Sequence, residues 1–328
     1  MTASGRTKNG TVIALCGGIG GAKLALGLSK VITDERLIVA VNTGDDFEHL
    51  GLHISPDVDT VTYTLAGIAN PETGWGRADE TWNFMDSLEA IGGETWFQLG
   101  DRDLALHVER TRRLRAGDSL SAITTDVRAR LGITACILPM SDDPVRTHVE
   151  TDNGSMPFQN YFVERKCKPE LRSIRFEGAQ NAHVQHDIAR AMGDPDLRCV
   201  IICPSNPYLS IDPMLAVGDM RQLLTETTAP VIAVSPLVDG KAVKGPMSKI
   251  MCELGIEARH AAIAGHYDGL IDGFVVDSAD EKTPDHVAIA VENTLMATLE
   301  DKVRLARTAL AFADEISTGQ DVPGVRCA

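Results

Sequence analysis

The stretch Thr11–Asp59, TVIALCGGIGGAKLALGLSKVITDERLIVAVNTGDDFEHLGLHISPDVD, decides how the chain folds. Val12–Leu15 is an apolar run of buried-strand length that empties into Cys16-Gly17-Gly18-Ile19-Gly20-Gly21. These glycines let the backbone turn sharply and approach a ligand closely. From Ala22 to Val31 the leucines and Val31, with Lys23 and Lys30 between them, suit a helix packed on a sheet. Leu37–Val41 supplies a second strand. Strand, glycine turn and helix bring unpaired N–H groups and the positive helix end together, an arrangement suited to phosphate. The turn matches neither standard phosphate loop. A Walker loop needs Gly-Lys followed by Ser or Thr, and the dinucleotide fingerprint needs a third glycine where Lys23 stands. Taken alone, the turn also admits the plainer reading of packing helix against strand.

The residues after the second strand weigh on that choice. Asn42-Thr43-Gly44-Asp45-Asp46 sits at a strand's carboxyl end, where open α/β sheets bind ligands, and Ser55-Pro56-Asp57-Val58-Asp59 follows closely. Two carboxylates ~4 Å apart repel by about 4 kcal/mol at an effective dielectric near 20. A hard divalent cation relieves this, and magnesium typically takes one or two carboxylates plus substrate phosphates. Any single aspartate here also suits a turn or a helix cap. As a set beside a phosphate loop, they favour a metal.

Composition narrows the function class. With 328 residues and 44% hydrophobic content, the chain can build one large α/β domain or a core with an inserted lobe. A formal net charge of -15 argues against a broad nucleic-acid surface. A small anionic ligand stays compatible where local donors and a metal offset the field. The seven cysteines form no C-x-x-C pair, and their odd number sets a disulfide framework aside. Met1–Gly10 is polar and no apolar run reaches membrane-spanning length, so a cytoplasmic, reduced protein without a membrane partner is expected.

Further along, Thr60–Ile68 reads as a helix, and Gly74-Trp75-Gly76 as a flexible loop carrying an aromatic. Asp79 is placed to cap a helix containing Trp82. The arginines of the next helix, Arg110, Arg112, Arg113 and Arg115, spread around it and read as a solvated face. Thr147–Thr151, Phe158–Arg165 and Ser173–Glu177 alternate apolar and polar residues, as strands of a peripheral sheet do. The parallel core resumes at Cys199–Cys203 and empties into Pro204-Ser205-Asn206-Pro207. It continues through Val231–Val234, a loop containing Lys241, Lys244 and Gly245, and a last strand at Gly273–Asp277. The expectation is a Rossmann-like, mostly parallel sheet with helices on both faces: residues 1–69 and 186–328 form the core, and 70–185 an inserted α+β lobe. Histidines add no metal site, because none sits at ligand spacing from a carboxylate or cysteine. No G-x-S-x-G elbow is present, so acyl transfer has no support.

Read together, these loops resemble the 2-phospho-L-lactate transferase family of deazaflavin coenzyme F-420 biosynthesis (CofD or FbiA). The resemblance runs almost end to end through CGGIGGAKLALGL, VNTGDDFEHLGLHISPDVDTVTYTLAG, GWGRADETW, WFQLGDRDLALH, LPMSDDPV, PSNP, GKAVKGP and TLEDKVRLA. It implies a magnesium-dependent transfer of a phospho-(three-carbon acid) group, such as 2-phospholactyl or phosphoenolpyruvyl, from a guanosine diphospho-donor. The acceptor is the terminal ribityl hydroxyl of the deazaflavin Fo, and GMP leaves. By the same resemblance Gly17, Gly18, Gly20, Gly21, Lys23 and Thr43 hold the donor's diphosphate side. Ser205, Asn206, Lys244 and Gly245 surround its guanosine diphosphate end, and Trp75, Gly76 and Trp82 line the deazaflavin pocket. Asp45, Asp57 and Asp59 are the implied magnesium ligands, with Asp45 and Asp46 in the catalytic role; a homodimer is a family-level expectation. Two departures stand out: Asp212 occupies a glycine position of the family pattern, and Asn160 a glutamate position. A nucleotide-sugar-binding regulator on the same scaffold, without turnover, is the competing reading. A dinucleotide oxidoreductase is weakened by the missing third glycine.

Overall fold

The computed structural model describes residues 9–32, 34–239, 241–242, 246–277 and 287–319. The first half runs β1 (Thr11–Cys16), α1 (Gly18–Val31), β2 (Leu37–Val41), β3 (Phe47–His49), β4 (Leu52–Ile54), α2 (Pro56–Ala66), α3 (Asn83–Ala90), α4 (Asp101–Arg115), α5 (Leu120–Arg130) and β5 (Cys136–Pro139). After it come β6 (Arg146–Thr151), β7 (Gly154–Pro157), β8 (Leu171–Glu177), α6 (His186–Met192), β9 (Leu197–Ile202), α7 (Asp212–Leu215), α8 (Met220–Glu226) and β10 (Val231–Val234). The chain closes with β11 (Leu237–Val238), β12 (Lys241–Ala242), α9 (Met247–Glu253), α10 (His260–His266), β13 (Gly273–Val276), β14 (Ala288–Val291) and α11 (Leu299–Thr318).

Seven strands form a wholly parallel sheet in the order β14-β13-β10-β9-β1-β2-β5. Its central strands read as unbroken apolar runs because both faces are covered. Along β1 the side chains alternate: Ile13 and Leu15 join one core cluster, while Val12, Ala14 and Cys16 join the other. The second cluster lies under α1 and α11 and takes in Leu24, Leu28, Leu305 and Phe312. The first lies under α6 to α10.

Several local expectations shift. The aspartate loop is not all loop, since β3 and β4 pair as a short antiparallel hairpin between the two acidic clusters. Helix α2 begins at Pro56 rather than Thr60: proline fits the first helical turn, and Asp57 and Asp59 fall where negative charge is favoured. Residues Asn160–Glu164 form a wide helical turn, not a strand, and the peripheral sheet is β7-β6-β8. Two short helices, α7 and α8, connect β9 to β10, and β14 lies beyond the strand read as last. Strand β5 falls inside the span 70–185 yet pairs with β2 at the edge of the main sheet. That span is therefore two excursions separated by a core strand rather than one lobe. Among the described residues no helix is long and apolar enough to cross a membrane.

Candidate active site

Strand β1 leads to β2 on one side and lies against β9 on the other, so the loops after β1 and β9 diverge at the switch point of the sheet. They remain tied there. The Gly17 amide donates to Ser205 Oγ at 3.1 Å, and the Gly18 amide donates to Asp57 Oδ1 at 2.8 Å. No side chain of the residue preceding α1 caps it, so Ser205 and Asp57 satisfy its first amides from a distance. A Cβ at Gly17 would lie 2.5 Å from Ser210 Cβ, one at Gly21 2.6 Å from Ser205 Oγ, and one at Gly20 would strike the Pro204 carbonyl oxygen. These three glycines therefore admit the loop that follows β9, which is the packing role. Gly18 differs: its φ is +62° and a Cβ there would meet nothing within 4 Å. Of the set, Gly18 alone faces open space at the helix N-terminus. Lys23, in the next turn of α1, donates from Nζ to the Met296 carbonyl at 3.0 Å.

Asn42 organises the acidic loop. Its amide donates to the Cys16 carbonyl at 3.0 Å, its Oδ1 accepts from the Gly44 amide at 2.8 Å, and its Nδ2 donates to Asp57 Oδ2 at 2.9 Å. Both Asp57 oxygens are thus engaged. Both oxygens of Asp59 are held by the Arg110 guanidinium, Oδ2 at 3.1 Å and Oδ1 more closely. His107 and Asp103 complete that cluster, with His107 Nδ1 3.7 Å from Asp59 and Nε2 3.6 Å from Asp103. These three side chains approach metal-binding spacing, but the guanidinium already neutralises Asp59 and repels a second cation.

Asp45 and Asp46 are different. Asp46 Oδ2 accepts from Ser55 Oγ at 2.8 Å and meets His53 Nε2 at 3.1 Å, whereas its Oδ1 is buried without a partner among the described residues. Asp45 Oδ1 and Thr43 Oγ1 are likewise buried and unpartnered. Burial, followed by the neighbouring charge of Asp57, pushes the Asp45 carboxyl well above its ordinary range. Burial pushes Asp57 up to about 6. Two unsatisfied carboxylate oxygens and a hydroxyl in one loop are the hard donor set a divalent cation takes. The residues therefore fit such a cation, and the fit rests on Asp45 and Asp46. Asp57 and Asp59, expected beside Asp45 as ligands, are committed to Gly18, Asn42 and Arg110.

The remaining expected residues fall into three groups. Trp75 and Trp82 are 53% and 42% exposed, large apolar faces left in solvent. The Trp75 loop lies beside the glycine turn, because a Cβ at Gly74 would stand 3.0 Å from Ile19 Cγ2; Gly76 has a left-handed φ of +69°. Asn206 spends its side chain on the Tyr208 and Leu209 amides, capping the wide turn Pro207–Ile211. Lys244 and Gly245 lie outside the described residues. The two departures are also partnered: Asp212 Oδ1 meets His266 Nε2 at 2.7 Å, and Asn160 donates to Glu164. A surface cavity of about 390 Å³ along α11, lined by Leu299, Val303, Arg304 and Arg307 among others, includes no residue of the loops at the sheet's carboxyl edge.

Sequence reading missed Arg110, which is 2% exposed rather than part of a solvated face. The signal was present: Asp103, His107 and Arg110 recur at helical spacing and form one inward polar stripe. It also missed His53 on Asp46, and the inserted residues that brace the loop. The Thr147 amide donates to the Gly44 carbonyl at 2.7 Å, and Gln159 Nε2 donates to the Asp45 carbonyl at 3.3 Å.

Fold and loops together describe an α/β protein with a buried acidic loop at the switch point of a parallel sheet and an aromatic loop beside the glycine turn. The family model described as 2-phospho-L-lactate transferase CofD matches residues 12–310. The chain is 40% identical over 316 residues to a phosphoenolpyruvate transferase of Streptomyces griseus, covering 93% of this chain and 99% of that one. It is also 40% identical over 307 residues to a 2-phospho-L-lactate transferase of Methanopyrus kandleri, covering 92% and 97%. A Bacillus halodurans protein of the UPF0052 family shares the fold, with a TM-score of 0.58 at 14% identity over 92% of this chain and 98% of that one. The chain belongs to the 2-phospho-L-lactate transferase family, CofD, and is a transferase.

Proposed function

We propose that the chain transfers a phospho-(three-carbon acid) group from a guanosine diphospho-donor to the terminal ribityl hydroxyl of the deazaflavin Fo, with magnesium bound at Asp45 and Asp46. The observation that carries this reading is the pair of buried, unpartnered carboxylate oxygens on Asp45 and Asp46, in the loop whose Asn42 binds the Asp57 that caps Gly18. Magnesium, when bound, would neutralise charge on the donor's phosphates. In phosphoryl-type transfer the protein supplies mostly positioning and electrostatics, with no covalent nucleophile required. The ribityl oxygen bonds to the acid-bearing phosphorus, and the bond from that phosphorus to the bridging oxygen breaks. GMP departs with the bridging oxygen and its electron pair. The hydroxyl proton passes to Asp45, through the carboxylate oxygen that the cation would leave free. The open space beside Gly18, at the positive end of α1, leaves room for donor phosphate. Trp75 and Trp82 give a flat acceptor two apolar faces.

The relatives at 40% identity carry different acid names, phosphoenolpyruvate and 2-phospho-L-lactate, so identity alone leaves the acid open. A donor panel decides it. Purified protein, magnesium and Fo are mixed separately with the lactyl, enolpyruvyl and glyceryl guanosine diphospho-compounds, and mass spectrometry follows GMP and the Fo phosphodiester. Product from one donor names the acid. Binding of a guanosine donor with no product from any of the three would leave the regulator reading instead.

A further inference from the structure

The loop bearing Trp82 has a small hydrophobic anchor. Helix α3 buries Met85 alone along its eight residues, in a cluster with Ile54 and Leu99 against which Leu88 packs, and an isolated helix of that length is not stable in water. Polar bonds supply the rest. The Glu80 carboxylate accepts from the Arg102 amide at 2.7 Å and the Asp103 amide at 2.9 Å, in the first turn of α4. The Asp101 carboxylate accepts from Thr81 Oγ1 at 2.6 Å, the Asn83 amide at 3.1 Å, Asn83 Nδ2 at 2.8 Å and the Phe84 amide at 3.0 Å. Each acid caps the other's helix. Gly100 makes the crossing possible, because a Cβ there would strike the Glu80 carboxyl. Asp79 enters the clasp at a left-handed φ of +55°, an uncommon conformation for a residue with a side chain. The bonds from Thr81, Phe84 and Asn83 hold the Asp101 carboxyl down at about 2, so that carboxylate stays charged at any working pH.

The inward face of α4 grips helix α2. Asp103 accepts from the Tyr63 hydroxyl, and Arg110 holds Asp59, both on α2, where Asp57 also lies. One helix therefore connects the tryptophan loop to the acidic site.

We propose that Glu80 and Asp101 are positioning residues for the flat acceptor: their reciprocal clasp fixes the exposed face of Trp82 in register with the carboxylate site through α4. The proposal rests on the reading of the acceptor given above. Its test uses the full chain with magnesium, Fo and whichever donor is turned over, comparing wild type with Glu80→Gln and Asp101→Asn. Each variant is expected to raise the KM for Fo about tenfold, with kcat at saturating Fo within about twofold and donor KM unchanged; tenfold corresponds to about 1.4 kcal/mol. Combining the two changes should cost little more than either alone, since both open one clasp. Thr81→Val removes a single bond, keeps both carboxylates, and should raise the Fo KM about threefold even where a charge variant folds poorly. Unchanged Fo KM in folded variants, or Fo and donor constants worsening in parallel, would overturn the proposal. Tryptophan fluorescence separates the two levels. If Fo fails to quench the wild type, the acceptor assignment and the clasp fall together. If Fo quenches wild type and variants at the same concentration, only the clasp falls.

Discussion

The acidic and aromatic walls of the candidate site are built in opposite ways. On the acidic side Asn42, Asp46 and Asp57 are all at most 6% exposed, and each polar contact is made to backbone or to a neighbouring loop of the core. On the aromatic side Trp75 and Trp82 stand 53% and 42% exposed, and the helix that Trp82 precedes has one buried side chain. The contrast fits the chemistry proposed for each wall. Charge developing on phosphate is best met by fixed dipoles in a dry site, which must be organised before the substrate arrives. A flat ring carries its own apolar surface and needs only a face held in the right place.

The largest expected effect tests whether the acidic wall depends on its buried ion pair. Arg110→Met leaves Asp59 charged and enclosed, and breaking such a pair costs about 3–5 kcal/mol. Urea denaturation should register a loss of that size in midpoint and extrapolated stability. A loss below about 1 kcal/mol would mean that Arg110 belongs to an ordinary surface after all.

Asp45→Asn sharpens the comparison by separating function from stability. Turnover should fall at least about 100-fold, as when one preorganised electrostatic group is removed from a transition state. The melting temperature without metal should hold or rise, because the variant removes a buried carboxylate that burial and Asp57 disfavour in its charged form. Parental activity in this variant would detach the cation from the loop.

That division also explains what the sequence could and could not disclose. Apolar runs such as Val12–Leu15 and Cys199–Cys203 announce a parallel sheet, since strands covered on both faces have no polar alternation to confuse them. The acidic clusters were equally visible. Which oxygens stay free was not, because that depends on Arg110, 51 residues from Asp59, and on Asn42, 15 residues from Asp57. The glycine turn looked like a phosphate cradle, yet Gly17, Gly20 and Gly21 are demanded by the loop after β9, whose approach no local pattern records. Similarly, Asp79 was the visible helix cap, while the true one, Asp101, arrives from 18 residues beyond Asn83.

A weaker effect concerns pH. Asp57 is raised to about 6 in the fold from an unfolded value of 3.8. Its contribution to stability is therefore complete below about pH 3.8 and disappears as pH rises through about 6; a rise of that size corresponds to about 3 kcal/mol. Metal-free protein should gain stability from this group on moving from about pH 7.5 to about pH 5, and Asp57→Asn should flatten that slope. Magnesium should act in the opposite sense, raising the melting temperature more at the higher pH than at the lower, because protons compete for the same acidic loop. A magnesium increment independent of pH would place the ion away from these carboxylates.

Trp82→Ala is the smallest perturbation and the one that tests the aromatic wall alone. The side chain is half in solvent, so its removal should leave the fold within about 0.5 kcal/mol, the range of ordinary surface changes. Loss of a stacking face should nonetheless weaken Fo by about tenfold, within the range for such contacts. Guanosine nucleotide affinity should be untouched, since the polar bonds that hold Gly18, Asn42 and the acidic loop are made without Trp82. If stability fell as far as with Arg110→Met, the tryptophan would be a structural prop, and the two walls would not differ in kind.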